Sequence, residues 1–220
     1  MRSFGFIFTI LFLTSCGGGG GGSSSGGASG SSNNSHTPST VHAEEISLEG
    51  NVPLAADTFD IKLNLEGFNK SHKEKVYEAR ELIREVIASQ EFKDQVLGYT
   101  YKGKKQFADN GGLTNEQVYQ KILEGSEKFT PGKDNQMDLY LKTYSDKGST
   151  TVGYTYKNVK HVWMNTKYLS MYPAAKITTN MVHEWLHKVG FTHDVDKTAK
   201  RPHSVPYAVG YIVRDLAARI

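Results

Sequence analysis

Only one cysteine, Cys16, occurs in the 220 residues. A lone thiol excludes an internal disulfide, and it excludes structural zinc sites that close on several cysteines. Long apolar runs are scarce too. The longest, Phe4–Leu13, falls well short of the roughly twenty residues that a membrane-spanning helix needs. Neither sign of charge dominates: 26 Lys and Arg against 23 Asp and Glu leave a formal charge of +3, too mild to select a polyanionic partner. Lys102, Lys104 and Lys105 lie among Tyr99, Tyr101 and Phe107, but so short a cluster reads as a solvated loop, and no nucleic-acid partner is expected. No internal repeat is visible. Residues 43–220 have the length of one domain with its own core.

Against this background the stretch His183-Glu184-Trp185-Leu186-His187-Lys188-Val189-Gly190-Phe191-Thr192-His193 stands out. His183 and His187 are four apart, so on a helix they project from one face about one turn from each other. That spacing lets two imidazoles reach one metal ion. Glu184, beside the first histidine, is placed to act as a general base on water at the metal. Gly190 lets the chain leave the helix in a left-handed conformation, and the turn brings back His193 as a third ligand. Three protein ligands leave one position open, which is the plan of a catalytic rather than a structural zinc site. With Gly near 7% and His near 2%, the pattern arises by chance on the order of once in ten million start positions.

The five positions His183, Glu184, His187, Gly190 and His193 resemble the long motif of the metzincin clan of zinc endopeptidases. The resemblance implies a zincin-like fold, one catalytic Zn2+ and hydrolysis of peptide bonds in a protein or peptide substrate. It also implies that the strand before the active-site helix, here Val159–Asn165, lines the cleft and pairs with extended substrate, with Trp163 and Asn165 as candidate substrate contacts. One departure is plain. Metzincins carry a Met-turn after the zinc motif, whereas no methionine follows Met181 here, and Ser204-Val205-Pro206-Tyr207 stands in that region. By position Tyr207 is the candidate second stabiliser of the oxyanion, and Asp194, directly after the third ligand, is a candidate support for it. His161 and His203 are spare histidines.

The N-terminus has a different character. Arg2, the run Phe4–Leu13 and the sequence Leu13-Thr14-Ser15-Cys16 resemble a bacterial lipoprotein signal, residues 1–15, with Cys16 as the lipid-modified residue. That resemblance implies anchorage in the cell envelope, with Gly17 after the cysteine favouring the outer membrane. Residues 16–42 are then a lipidated cysteine and a Gly/Ser-rich tether, which as a random coil spans about 25–30 Å.

Within residues 43–220, Phe59–Leu65 and Met137–Lys142 alternate as strands, and Thr150–Tyr156 with Val159–Asn165 read as a hairpin turning at Lys157-Asn158. Val76, Ala79, Leu82, Ile83, Val86 and Ile87 recur at helical spacing within one helix over Ser71–Leu97. Thr114 and Gln117 form a capping-box signature for a shorter helix. The active-site helix begins near Pro173 and ends by Gly190, and a last helix covers Pro206–Arg219. The expected fold class is α+β: a mixed β-sheet, a long N-terminal helix, a zinc-binding active-site helix and a C-terminal helix. The expected function is that of an envelope-tethered zinc endopeptidase. Two other readings stay open from sequence, a zinc hydrolase of cell-wall peptides and a zinc-binding lipoprotein without catalysis.

Overall fold

The computed structural model describes residues 55–220; the signal segment, Cys16 and the tether expected over residues 1–42 lie outside the described residues. Four strands build one mixed sheet. Strand β1 (Asp60–Glu66) lies parallel to β2 (Gln136–Tyr144), with Ile61 opposite Met137 and Leu63 opposite Leu139. A parallel pair needs a crossover. Helices α1 (Lys70–Ala88), α2 (Gln90–Gly98) and α3 (Asn115–Glu124) occupy that connection. Strand β3 (Gly153–Thr155) and strand β4 (His161–Asn165) pair antiparallel around the expected Lys157-Asn158 turn, and β4 also lies parallel to β2. The order across the sheet is β1-β2-β4-β3.

That order corrects one expectation. Val159–Asn165 contributes β4, an internal strand with neighbours on both sides, so it has no free edge to offer a peptide. The edge beside it is β3, which sequence order alone could not reveal.

The single helix expected over Ser71–Leu97 is two. Ser89 adopts an extended backbone (φ −77°, ψ 144°), its hydroxyl donates to Val86 O at 2.7 Å, and it accepts from Phe92 N at 3.1 Å. A serine that closes one helix and caps the next breaks a pattern whose apolar spacing continues through it. The Thr114–Gln117 capping box forms as expected, with both reciprocal hydrogen bonds present. The short helix α4 (Thr166–Met171) follows β4 and was not expected.

Helix α5 (Ala174–Val189) is the centre of the domain. It is buried along almost its whole length, from Ile177 through Val182, Trp185 and Leu186 to Val189. A helix apolar on several faces must be covered on several faces. The sheet covers one side, α1 another, and α6 (Val205–Ala217) packs along it most extensively. Among the described residues no helix is long and apolar enough to cross a membrane.

One buried carboxyl locks α5 to the sheet. Glu127, 3% exposed, accepts from Trp185 Nε1 at 2.5 Å, Asp138 N at 2.9 Å and Thr130 Oγ1 at 2.8 Å. Removing the acceptor strands two buried donors, each costing about 1–3 kcal/mol. Glu127→Ala is therefore expected to lower stability by roughly 2–4 kcal/mol, read as a fall in the urea midpoint at unchanged slope.

Candidate metal centre

The site begins with the end of α5. Gly190 sits at φ +108°, its N–H reaches His187 O, and Phe191 N donates to Leu186 O at 3.0 Å. This is a Schellman closure, and a left-handed residue is what it requires. The reversal turns Phe191 back over the helix end, where its carbonyl meets His187 Nδ1 at 2.9 Å. Two residues later His193 faces the same point, its own Nδ1 held by Asp194 O at 2.8 Å.

The three imidazoles converge. His183 Nε2 lies 3.3 Å from His187 Nε2 and 3.2 Å from His193 Nε2. A carbonyl only accepts, so His187 and His193 carry their protons on Nδ1 and turn bare lone pairs inward. His183 is held likewise by the carbonyl of Pro206. Three residues of this kind could hold a metal ion. The spacing tests that idea: a tetrahedral ion with nitrogen ligands at about 2.0–2.1 Å has ligand–ligand edges of about 3.3–3.4 Å. The donor set and its edges fit a zinc-sized ion, without distinguishing zinc from other divalent metals.

Burial holds the imidazoles in their ligand form. It depresses His187 to about 4, lowers His193, and takes His183 well below the usual imidazole range, the neighbouring histidines and Arg201 adding to the effect.

Beside the histidines runs a buried polar stripe that the sequence did not announce as a unit. Asn180, Glu184 and Lys188 are four apart on α5, and all three face β3. Gly153 rests on Asn180 so closely that a Cβ there would come within 2.3 Å of Asn180 Oδ1. Thr155 gives its backbone N–H to Glu184 and receives Lys188 Nζ on its hydroxyl. Lys188 also donates to Val159 O at 2.5 Å, which ties down the β3–β4 turn. Glu184 Oε1 accepts from Asn180 Nδ2 at 3.3 Å, while its buried Oε2 has no protein partner. Burial pushes Glu184 up to about 8 and Lys188 down to about 8, each drawn back by the other's charge. A cation at the histidines would favour the carboxylate further.

The structure places the other expected site residues as follows. Tyr207, in the first turns of α6, is 5% exposed and packs its ring 4.4 Å from His183 and 4.8 Å from His193, centroid to centroid. Burial pushes its phenol up to about 12, against the pull of Arg201. Trp163 is not brought to the histidines. It lies on the sheet face opposite α5, stacked on Tyr154 at 5.3 Å, since Gly153 and Thr155 take the α5 side of β3. Asn165 is fully buried; it caps α4 through Lys167 N and donates to Asp146 O at 2.9 Å. Neither has a hydrogen bond or ring contact with the three histidines. Asp194 supplies its carbonyl to His193 and its carboxylate to Thr198 and Lys200. His203 bonds Tyr99, and His161 sits near Glu66. Comparisons with protein-family models, with curated proteins and with solved structures return no match.

In the metal-free protein the folded state holds these imidazoles neutral to a lower pH than the unfolded chain, which takes up protons below about pH 6.5. They therefore withdraw stability as pH falls from about 6.5 toward about 4, opposed in part by the raised carboxyls of Glu184 and Glu127. An NMR titration of the metal-free protein should place the His187 midpoint near pH 4. A midpoint near 6.5 would mean that water reaches the ring freely.

Proposed function

We propose that this chain is a zinc-dependent endopeptidase of metzincin-like design, tethered to the bacterial envelope, at the outer membrane, through lipid-modified Cys16. The observation that carries the reading is the convergence of three bare Nε2 atoms beside a buried carboxylate with one uncommitted oxygen. His183, His187 and His193 would hold the ion. When bound there, zinc supplies Lewis acidity, which makes water far more acidic and polarises a carbonyl.

The chain's own groups divide the remaining work. Glu184 Oε1 is fixed by Asn180, so Oε2 is the oxygen that takes the proton from the attacking water. The same oxygen then delivers it to the leaving amine. Edge strand β3 lies directly over Glu184 and has no strand on its outer side among the described residues. An edge without a neighbouring strand suits an extended peptide laid alongside, a mode that tolerates varied side chains. That placement supports a protein or peptide substrate.

The test compares the full-length chain with Glu184→Ala for metal content and for cleavage of an unstructured protein such as casein. One zinc per chain in both proteins is expected, with turnover lowered about 10²–10⁴-fold in the variant and abolished in both by a chelator. Zinc retention with cleavage of cell-wall peptides but not casein would move the substrate to the wall. No hydrolysis of either would leave a metal-binding lipoprotein. Failure of the wild type to hold stoichiometric zinc would overturn the reading.

A further inference from the structure

The third ligand stands apart from the other two. His183 and His187 share one helix, whereas His193 comes from the chain beyond Gly190, where no helix fixes it. Something else must hold it within a few tenths of an ångström of the others.

Arg201 is placed to do so. It is 5% exposed, in the helical turn Arg201–His203, and its backbone is pinned from both sides. Arg201 N donates to Thr198 Oγ1 at 3.3 Å, and Arg201 O accepts from Ser204 Oγ at 2.8 Å. Its side chain reaches two structures at once. NH1 donates to Val195 O at 2.8 Å, two residues past the third histidine. The guanidinium carbon lies 5.1 Å from the centroid of the Tyr207 ring, the ring that packs against both His183 and His193.

We infer that Arg201 is the positioning residue of the metal centre, holding the loop of His193 and the ring of Tyr207 in register with the helix-borne histidines. This rests on the three histidines being a metal site. Two opposed effects meet here. A fixed cation near a divalent metal weakens binding by repulsion, while a rigid third ligand strengthens it. The arrangement makes sense only if geometry prevails. It also requires arginine: a planar guanidinium lies over a ring and donates sideways in its own plane, and an ammonium cannot do both.

The experiment measures zinc affinity by competition with a chromophoric chelator for the full-length wild type, Arg201→Lys, Arg201→Met, Tyr207→Leu and the Met/Leu double variant. Cobalt(II) spectra report ligand geometry alongside. Arg201→Lys keeps the charge and loses the clamp, so a fall of about 10–100-fold is expected, comparable with Arg201→Met, with an altered cobalt spectrum. In the Tyr207→Leu background the arginine change should cost less than in the wild type, since the ring contact is already gone and only the tie to Val195 O remains to be lost. Arg201→Lys binding as tightly as wild type would overturn the inference, as would Arg201→Met binding more tightly. Those results would mean that only charge is felt. If Arg201→Met does not fold, judged by circular dichroism of the metal-free protein, Arg201→Lys and Tyr207→Leu decide alone. Loss of zinc by the wild type itself would instead defeat the metal-site reading.

Discussion

Main-chain carbonyls hold the imidazoles from behind, and those carbonyls belong to Phe191, Asp194 and Pro206, all beyond the helix that carries the first two rings. The constraint is severe. Bare nitrogen lone pairs meet at 3.2–3.3 Å, an arrangement that neutral imidazoles would not choose for themselves. It is imposed by the return of the chain across the end of α5, and the rest of the fold makes that return possible. Gly190 supplies the reversal, α6 runs back along α5, and the buried length of α5 leaves the helix no freedom to slide. Metal affinity in such a site belongs to the packing as much as to the ligands.

The same helix carries a second set of instructions on a neighbouring face. Asn180, Glu184 and Lys188 replace what would otherwise be apolar contacts with β3, and each is used by the strand. A buried polar stripe is tolerable only when its members are satisfied. Here two acceptor oxygens have no partner, Asn180 Oδ1 and Glu184 Oε2, and the second is the oxygen of the carboxyl left uncommitted. The strand therefore aims the carboxyl group.

The parts legible in the sequence are those that depend on neighbours along the chain. The four-residue spacing of His183 and His187, the left-handed Gly190 and the Thr114–Gln117 box are local devices, and the structure contains each of them. The alternating runs of β1 and β2 were readable for the same reason. Ser89 was missed because one hydroxyl outweighed an uninterrupted apolar pattern. Strand order is non-local, so the edge was assigned to β4 instead of β3, and the contacts of Trp163 and Asn165 lie with Tyr154, α4 and Asp146 and not with the three histidines. The stripe did leave a trace, since Asn180, Glu184 and Lys188 recur at four-residue spacing along the helix. Arg201 left none: its burial depends on Tyr207 and Val195, which only the folded chain brings to it.

The two tryptophans divide between two environments, and this has a practical side. Trp185 follows Glu184 in sequence, has no solvent exposure and donates to a buried carboxyl. Trp163 lies half-buried on the far face of the sheet, against Tyr154 of the edge strand. An indole in a dry, charged pocket and one at a watery aromatic surface emit at different wavelengths and differ in access to quenchers. The molecule thus carries a built-in pair of optical probes, one in the core on the histidine-bearing helix and one on the opposite face of the sheet, on β4 against Tyr154 of β3. Light alone can separate an event at the three histidines from an event along β3.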